Sequence, residues 1–142
     1  FMNPIEDNQP ELDEALETVE NCIEKLEKKG FEREDIFLLG FSQGACLISE
    51  YVARTPSKFK AVIGLSGGLI GPEGKEFSYS GDLNKTPVFL GCSENDPHIP
   101  KSRVDETAEV LENLNAQVEK RIYEGSFHGI VDDEIDWVNK HL

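Results

Sequence analysis

A chain of 142 residues with 38% apolar and 30% charged residues has the composition of one globular domain around one core, and is short for two. Its net charge of −14, from 28 acidic against 14 basic residues, works against nucleic acid and anionic membrane surfaces, whose binding rests on neutralising phosphates. No apolar run approaches the roughly 20 residues of a membrane span, and the first residues carry neither the basic nor the apolar segment of a secretory signal. Three cysteines, at 22, 46 and 92, lie among apolar neighbours and read as reduced, buried thiols in a cytoplasmic protein. No Cys-x-x-Cys or His-x-x-x-His spacing points to a metal site.

In chain order, Leu12, Ala15, Leu16, Val19, Cys22, Ile23 and Leu26 recur at intervals of three and four. They predict a helix from Glu11 to Lys29, with Gly30 as its stop. Ile36 to Phe41 is an unbroken apolar run, as a strand buried on both faces should be. A helix is predicted from Gln43 to Arg54, ended by Thr55-Pro56, then a buried strand from Ala61 to Leu65. A Gly- and Ser-containing loop follows to about Lys85, and Pro87 opens a strand over Val88 to Cys92. Lys101 to Leu114 reads as helix, Val118 to Tyr123 as strand and Asp132 to Leu142 as a final helix. Four alternations of strand and helix predict an α/β fold: a mostly parallel sheet with covering helices. Ligands bind beyond the carboxyl ends of such strands.

Three loops at those ends carry the chemistry. Gly40-Phe41-Ser42-Gln43-Gly44 is a G-x-S-x-G between a buried strand and a helix. A serine nucleophile has to project from a tight, strained turn, and flanking glycines let strand and helix pass closely. The same turn places the Gln43 amide at a helix N-terminus, aimed at a developing oxyanion. The motif alone recurs by chance in roughly one chain of this length in twenty, so its strand–turn–helix context matters. After the third strand, Asp96 stands in a loop stiffened by Pro97 and Pro100, where a carboxylate could orient an imidazole; Glu94 is the rival acid. After the fourth strand, His128 stands beside Gly125 and Gly129, placed to reach the serine as a general base. His98 competes, but lies two residues from Asp96, too close for an Asp-to-His contact within one tight loop, and reads as a pocket-lining residue. His141 reads as solvated at the C-terminus. Cys46, Cys92 and Phe41 read as core residues rather than substrate contacts.

The order Ser, Asp, His is that of an α/β-hydrolase. From Phe31 to Leu142 the chain resembles the phospholipase/carboxylesterase family, which includes acyl-protein thioesterases and small bacterial carboxylesterases. Gly40-Phe41-Ser42-Gln43-Gly44 is similar to that family's nucleophile elbow, Asp96-Pro97-His98-Ile99-Pro100 to its acid loop with Ile for Val, and His128-Gly129 to its histidine loop. The resemblance implies the C-terminal part of an α/β-hydrolase fold with helices on both faces, no cofactor, and cleavage of a small-molecule ester or thioester.

One departure lies upstream: the family's His-Gly loop, whose amide completes the oxyanion hole, has no counterpart before Ser42. Only Gln43 can be assigned as a donor, and losing one donor costs on the order of 3 kcal/mol in the transition state. The strand ending at Phe41 should also have neighbours on both sides, while this chain supplies them on one. Residues 1–142 are therefore read as a single domain that is a C-terminal fragment, with Phe1 to Pro10 continuing an active-site loop. A bare apolar edge invites a homodimer or a complementing N-terminal segment. Within the Gly67 to Lys85 loop, Leu69 and Ile70, with Phe77 and Tyr79, are expected to form an apolar lid over an acyl chain. The alternative is a non-catalytic α/β piece that keeps the elbow as architecture and needs a partner chain; a serine peptidase is disfavoured by the lack of an extra domain or charged-pocket signature.

Overall fold

The computed structural model describes the backbone of residues 5–142, with side chains from residue 9 onward. The elements follow as α1 (Ile5–Lys28), a 3₁₀ turn (Arg33–Asp35), β1 (Phe37–Phe41), α2 (Gln43–Arg54), β2 (Ala61–Leu65), β3 (Pro87–Ser93), α3 (Lys101–Asn113), β4 (Gln117–Tyr123) and α4 (Asp132–His141). The four strands form one sheet in the order β1-β2-β3-β4, parallel throughout. All four carboxyl ends therefore lie along one edge.

Period-two alternation along the strands divides the core. Val62, Val88, Leu90 and Cys92 face one way and pack with α1, α2 and α3, through Ile23, Val52 and Leu111 among others. Ala61, Ile63, Leu65 and Phe89 face the other way, onto Trp137 of α4. Helices thus cover both faces. His141 stacks on Trp137 at 3.6 Å while remaining exposed, so it is held at the end of α4 rather than simply solvated. β1 lies at an edge, with no strand on its outer side among the described residues, and Leu39 there is 52% exposed.

Three expectations are corrected. α1 begins at Ile5, so residues 5–10 are helical rather than loop; residues 1–4 lie outside the described residues. Pro10 marked a boundary in the sequence, but it stands in the second turn, where its missing N–H removes a single helix bond. Cys22 is exposed, because it falls at the margin of a stripe whose buried members are Leu12 and Ile23. The loop after β2 is no lid. Leu69 is fully buried, Ile70 nearly so, and Phe77 and Tyr79 pack on the core.

Two buried charges hold that loop down. The Glu50 carboxylate accepts the Ile70 N–H at 2.8 Å and the Tyr79 hydroxyl at 3.0 Å, while pairing with Arg54. From α3, the Arg103 guanidinium donates to the carbonyls of Leu69, Gly71 and Pro72. Charge-assisted bonds to buried backbone are costly to break, so the segment is a fixed wall.

Glu134, in the first turn of α4, is also buried. Its Oε1 accepts the Val131 N–H at 2.9 Å, but its Oε2 faces the Gly91 backbone with no hydrogen-bond donor. Burial raises this carboxyl above its ordinary range, against the Val131 bond, which lowers it, and Asp133, which raises it further. A raised carboxyl works against folding above its folded pKa, and the penalty fades below the unfolded value. Glu134→Gln keeps the Oε1 bond and removes the charge, so it is expected to stabilise the chain by about 1 kcal/mol at neutral pH. Denaturant melts at pH 7 and in acid check this: the gain should vanish in acid.

Candidate active site

The site is built where β1, β3 and β4 end. Ser42 sits between β1 and α2 at φ 56°, ψ −117°, a conformation that costs a non-glycine residue on the order of 1–3 kcal/mol. The surroundings enforce it: the Ser42 N–H donates to the Leu65 carbonyl at 2.8 Å, and the Ser42 carbonyl accepts the Cys46 N–H at 3.1 Å. A Cβ on Gly40 would lie 2.4 Å from the Gly44 carbonyl carbon, and one on Gly67 would lie 2.5 Å from the Ala45 side chain. The close passage of strand and helix therefore depends on Gly40 and Gly67. Gly44 does not conform to the expectation for flanking glycines, since a Cβ there meets nothing within 4 Å. It lines the open cleft instead.

Three side chains from separate loops meet at this turn. His128 Nε2 lies 2.8 Å from the Ser42 hydroxyl oxygen, and His128 Nδ1 lies 2.8 Å from Asp96 Oδ2. The Asp96 side chain is wholly buried and that of His128 is 17% exposed. Asp96 Oδ1 accepts the N–H groups of His98 and Ile99 at 2.7 and 2.9 Å. Burial pushes the Asp96 carboxyl up, but the bonds from His128 and from those two amides outweigh it and hold the group below its usual value. It is thus an anion facing an imidazole. Glu94, the rival acid, is exposed.

Crossed backbone bonds fix the acid and histidine loops against each other. Glu94 N–H donates to the Tyr123 carbonyl and Asn95 N–H to the Gly125 carbonyl. The Ser93 hydroxyl donates to the Phe127 carbonyl, immediately before His128. The Gln43 N–H, at the first position of α2, lies outside the helix's own hydrogen-bond ladder. Among the described residues, no group of three His, Cys, Asp or Glu side chains could hold a metal ion.

A cleft of about 1040 Å³ opens over Ser42. Leu12 and Ala15 of α1, Cys46 and Leu47 of α2, Ile70 and Ile99 give it apolar walls, and Glu11 adds a carboxylate. His98 lines it as expected, with its ring edge-on to His128 at 4.8 Å. Ile70 lines it as well, whereas Leu69 points into the core and does not. Cys46 is buried in the core, as read from the sequence, while bordering the cleft; Phe41, also read as core, is instead 37% exposed there, with its ring 5.0 Å from that of His128. The α1 wall and Ser93 escaped sequence reasoning. Leu12 and Ala15 look like ordinary members of a helical stripe, and nothing local marks which part of a stripe faces a cleft.

Residues 2–142 match the phospholipase/carboxylesterase family. Acyl-protein thioesterase 1 of Saccharomyces cerevisiae is 29% identical over 129 residues, covering 86% of this chain and 55% of that protein. The acyl-protein thioesterase 1 of Gibberella zeae is 33% identical over 126 residues, covering 86% and 53%. The chain thus spans about half the length of these curated relatives. The crystal structure of a phospholipase/carboxylesterase from Dyadobacter fermentans superposes with a TM-score of 0.92 at 44% identity, covering 98% of this chain and 66% of that one. Arabidopsis thaliana SOBER1, at 21% identity and a TM-score of 0.76, shares the fold. With its strand order, its serine turn and a match over nearly its whole length, this chain belongs to the phospholipase/carboxylesterase family.

Proposed function

We propose that the chain carries the catalytic centre of a serine hydrolase that cleaves carboxylic ester or thioester bonds through an acyl-enzyme on Ser42. The observation that carries this reading is the pair of 2.8 Å contacts linking Ser42, His128 and Asp96 in one line. His128 Nε2 takes the hydroxyl proton as Ser42 Oγ attacks the acyl carbonyl. Asp96 holds the Nδ1–H tautomer and stabilises the imidazolium. The tetrahedral oxyanion takes a hydrogen bond from the Gln43 N–H. His128 then protonates the departing alcohol or thiol, and water, deprotonated by the same imidazole, releases the acid. Leu12, Ala15, Leu47 and Ile70 offer the acyl group apolar contact. A second oxyanion donor and a strand against the outer edge of β1 would come from a complementing segment.

A second reading, a non-catalytic piece that needs a partner, is favoured by one feature: the exposed apolar edge of β1, with Leu39 at 52%. Hydrolysis of a short p-nitrophenyl ester and of the matching thioester separates the two readings. Turnover that disappears in Ser42→Ala supports the hydrolase. Turnover that persists in it contradicts the hydrolase.

A further inference from the structure

The hydrogen bonds around Asp96 include one contact that the catalytic chain itself does not use. Cys92 stands one residue before the end of β3, on the side of the sheet covered by α1, α2 and α3, and is 1% exposed. Its Sγ lies 3.8 Å from Asp96 Oδ2, the oxygen that also receives His128 Nδ1. Oδ1 of the same carboxylate is occupied by two backbone N–H groups. A thiol in such a place must remain protonated, and burial together with the Asp96 charge pushes it up to about 12. Glu134 adds a further carboxylate from the α4 side of the sheet. As S–H, Cys92 is a weak donor.

We propose that Cys92 is a positioning residue that donates its S–H to Asp96 Oδ2 and thereby moderates the hold of that carboxylate on the His128 ring. The proposal rests on the catalytic reading above. A donor on Oδ2 draws negative charge from the atom facing Nδ1 and makes the imidazolium slightly less favourable. Among the described residues, the polar groups recorded against His128 are the Asp96 carboxylate, the Ser42 hydroxyl and the His98 ring, with the Phe41 ring packed beside it, so the thiol acts through the first of these.

The test is an NMR titration of the His128 ring in the whole chain, which needs no turnover. Cys92→Val removes the donor at the cost of one added methyl group, and Cys92→Ser restores a donor. In Cys92→Val the midpoint at which His128 takes up its proton should rise by about 0.3 pH unit, with Cys92→Ser falling between it and the unsubstituted chain. The acidic limb of kcat/KM should move in the same order. A valine variant that titrates like the unsubstituted chain overturns the proposal, because filling the space would then be all that Cys92 does. As a check that changes nothing at position 92, the Cys92 S–H stretching band, assigned by its loss in Cys92→Ser, should rise in frequency in Asp96→Asn; an unmoved band overturns it too. If the chain shows no esterase activity while the midpoints follow the stated order, the catalytic reading fails and the thiol contact stands.

Discussion

Ser42→Ala should leave a folded chain whose kcat on an activated ester is lower by about 10⁴- to 10⁶-fold, with KM little changed. The size of the loss follows from the three side chains acting as a unit. Without Oγ there is no acyl-enzyme, and His128 and Asp96 have nothing to activate except water. What remains is binding and the Gln43 amide, which alone supply modest acceleration. The fold should tolerate the change, because the strained turn is imposed by the neighbouring backbone and alanine meets it as serine does. Unfolding free energy within about 1 kcal/mol of the parent, measured beside the kinetics, separates a lost nucleophile from a lost structure.

Gly40→Ala should have the opposite profile and damage the fold itself. Its Cβ would sit 2.4 Å from both the carbonyl carbon and oxygen of Gly44 and 2.7 Å from the Ala45 nitrogen, all of them backbone atoms that no side-chain rotation can move. Relief requires β1 and α2 to separate, at the point where the sheet and its largest apolar cluster meet. A loss of at least about 3 kcal/mol is expected, enough to leave many small domains largely unfolded. Gly44→Ala is the control. Open space surrounds that position, and alanine favours the helix over glycine by about 1 kcal/mol. Its melt should match or exceed the parent's, with any change appearing in substrate kinetics because the methyl enters the cleft. Equal melts for the two variants would contradict this account of the turn.

The comparison of these glycines shows what a sequence can carry. The four strands fall within a residue or so of the expected Ile36 to Phe41, Ala61 to Leu65, Val88 to Cys92 and Val118 to Tyr123; the first three are apolar runs, but β1 is not buried on both faces as expected, because it lies at the sheet edge with Leu39 and Phe41 exposed. That Ser42, Asp96 and His128 would meet was legible because each follows a strand, and strand ends in a parallel sheet converge on one edge. What stayed hidden depends on which way a side chain turns once two elements meet. Leu69 and Ile70 are adjacent and chemically alike, yet one packs inward while the other lines the cleft. Phe41 looks like core from its neighbours, but it occupies an edge strand beside the His128 ring. The roles of Glu50 and Arg103 in pinning the loop after β2 are equally non-local, since their partners lie some 20 to 34 positions away along the chain.

The most direct test of the central claim is covalent labelling with a fluorophosphonate, read by intact mass and then by peptide mapping. One adduct per chain on Ser42, absent in Ser42→Ala and strongly slowed in His128→Ala, is the predicted result. An unlabelled chain, or an adduct on any other residue, would contradict the claim that Asp96 and His128 make Ser42 a nucleophile.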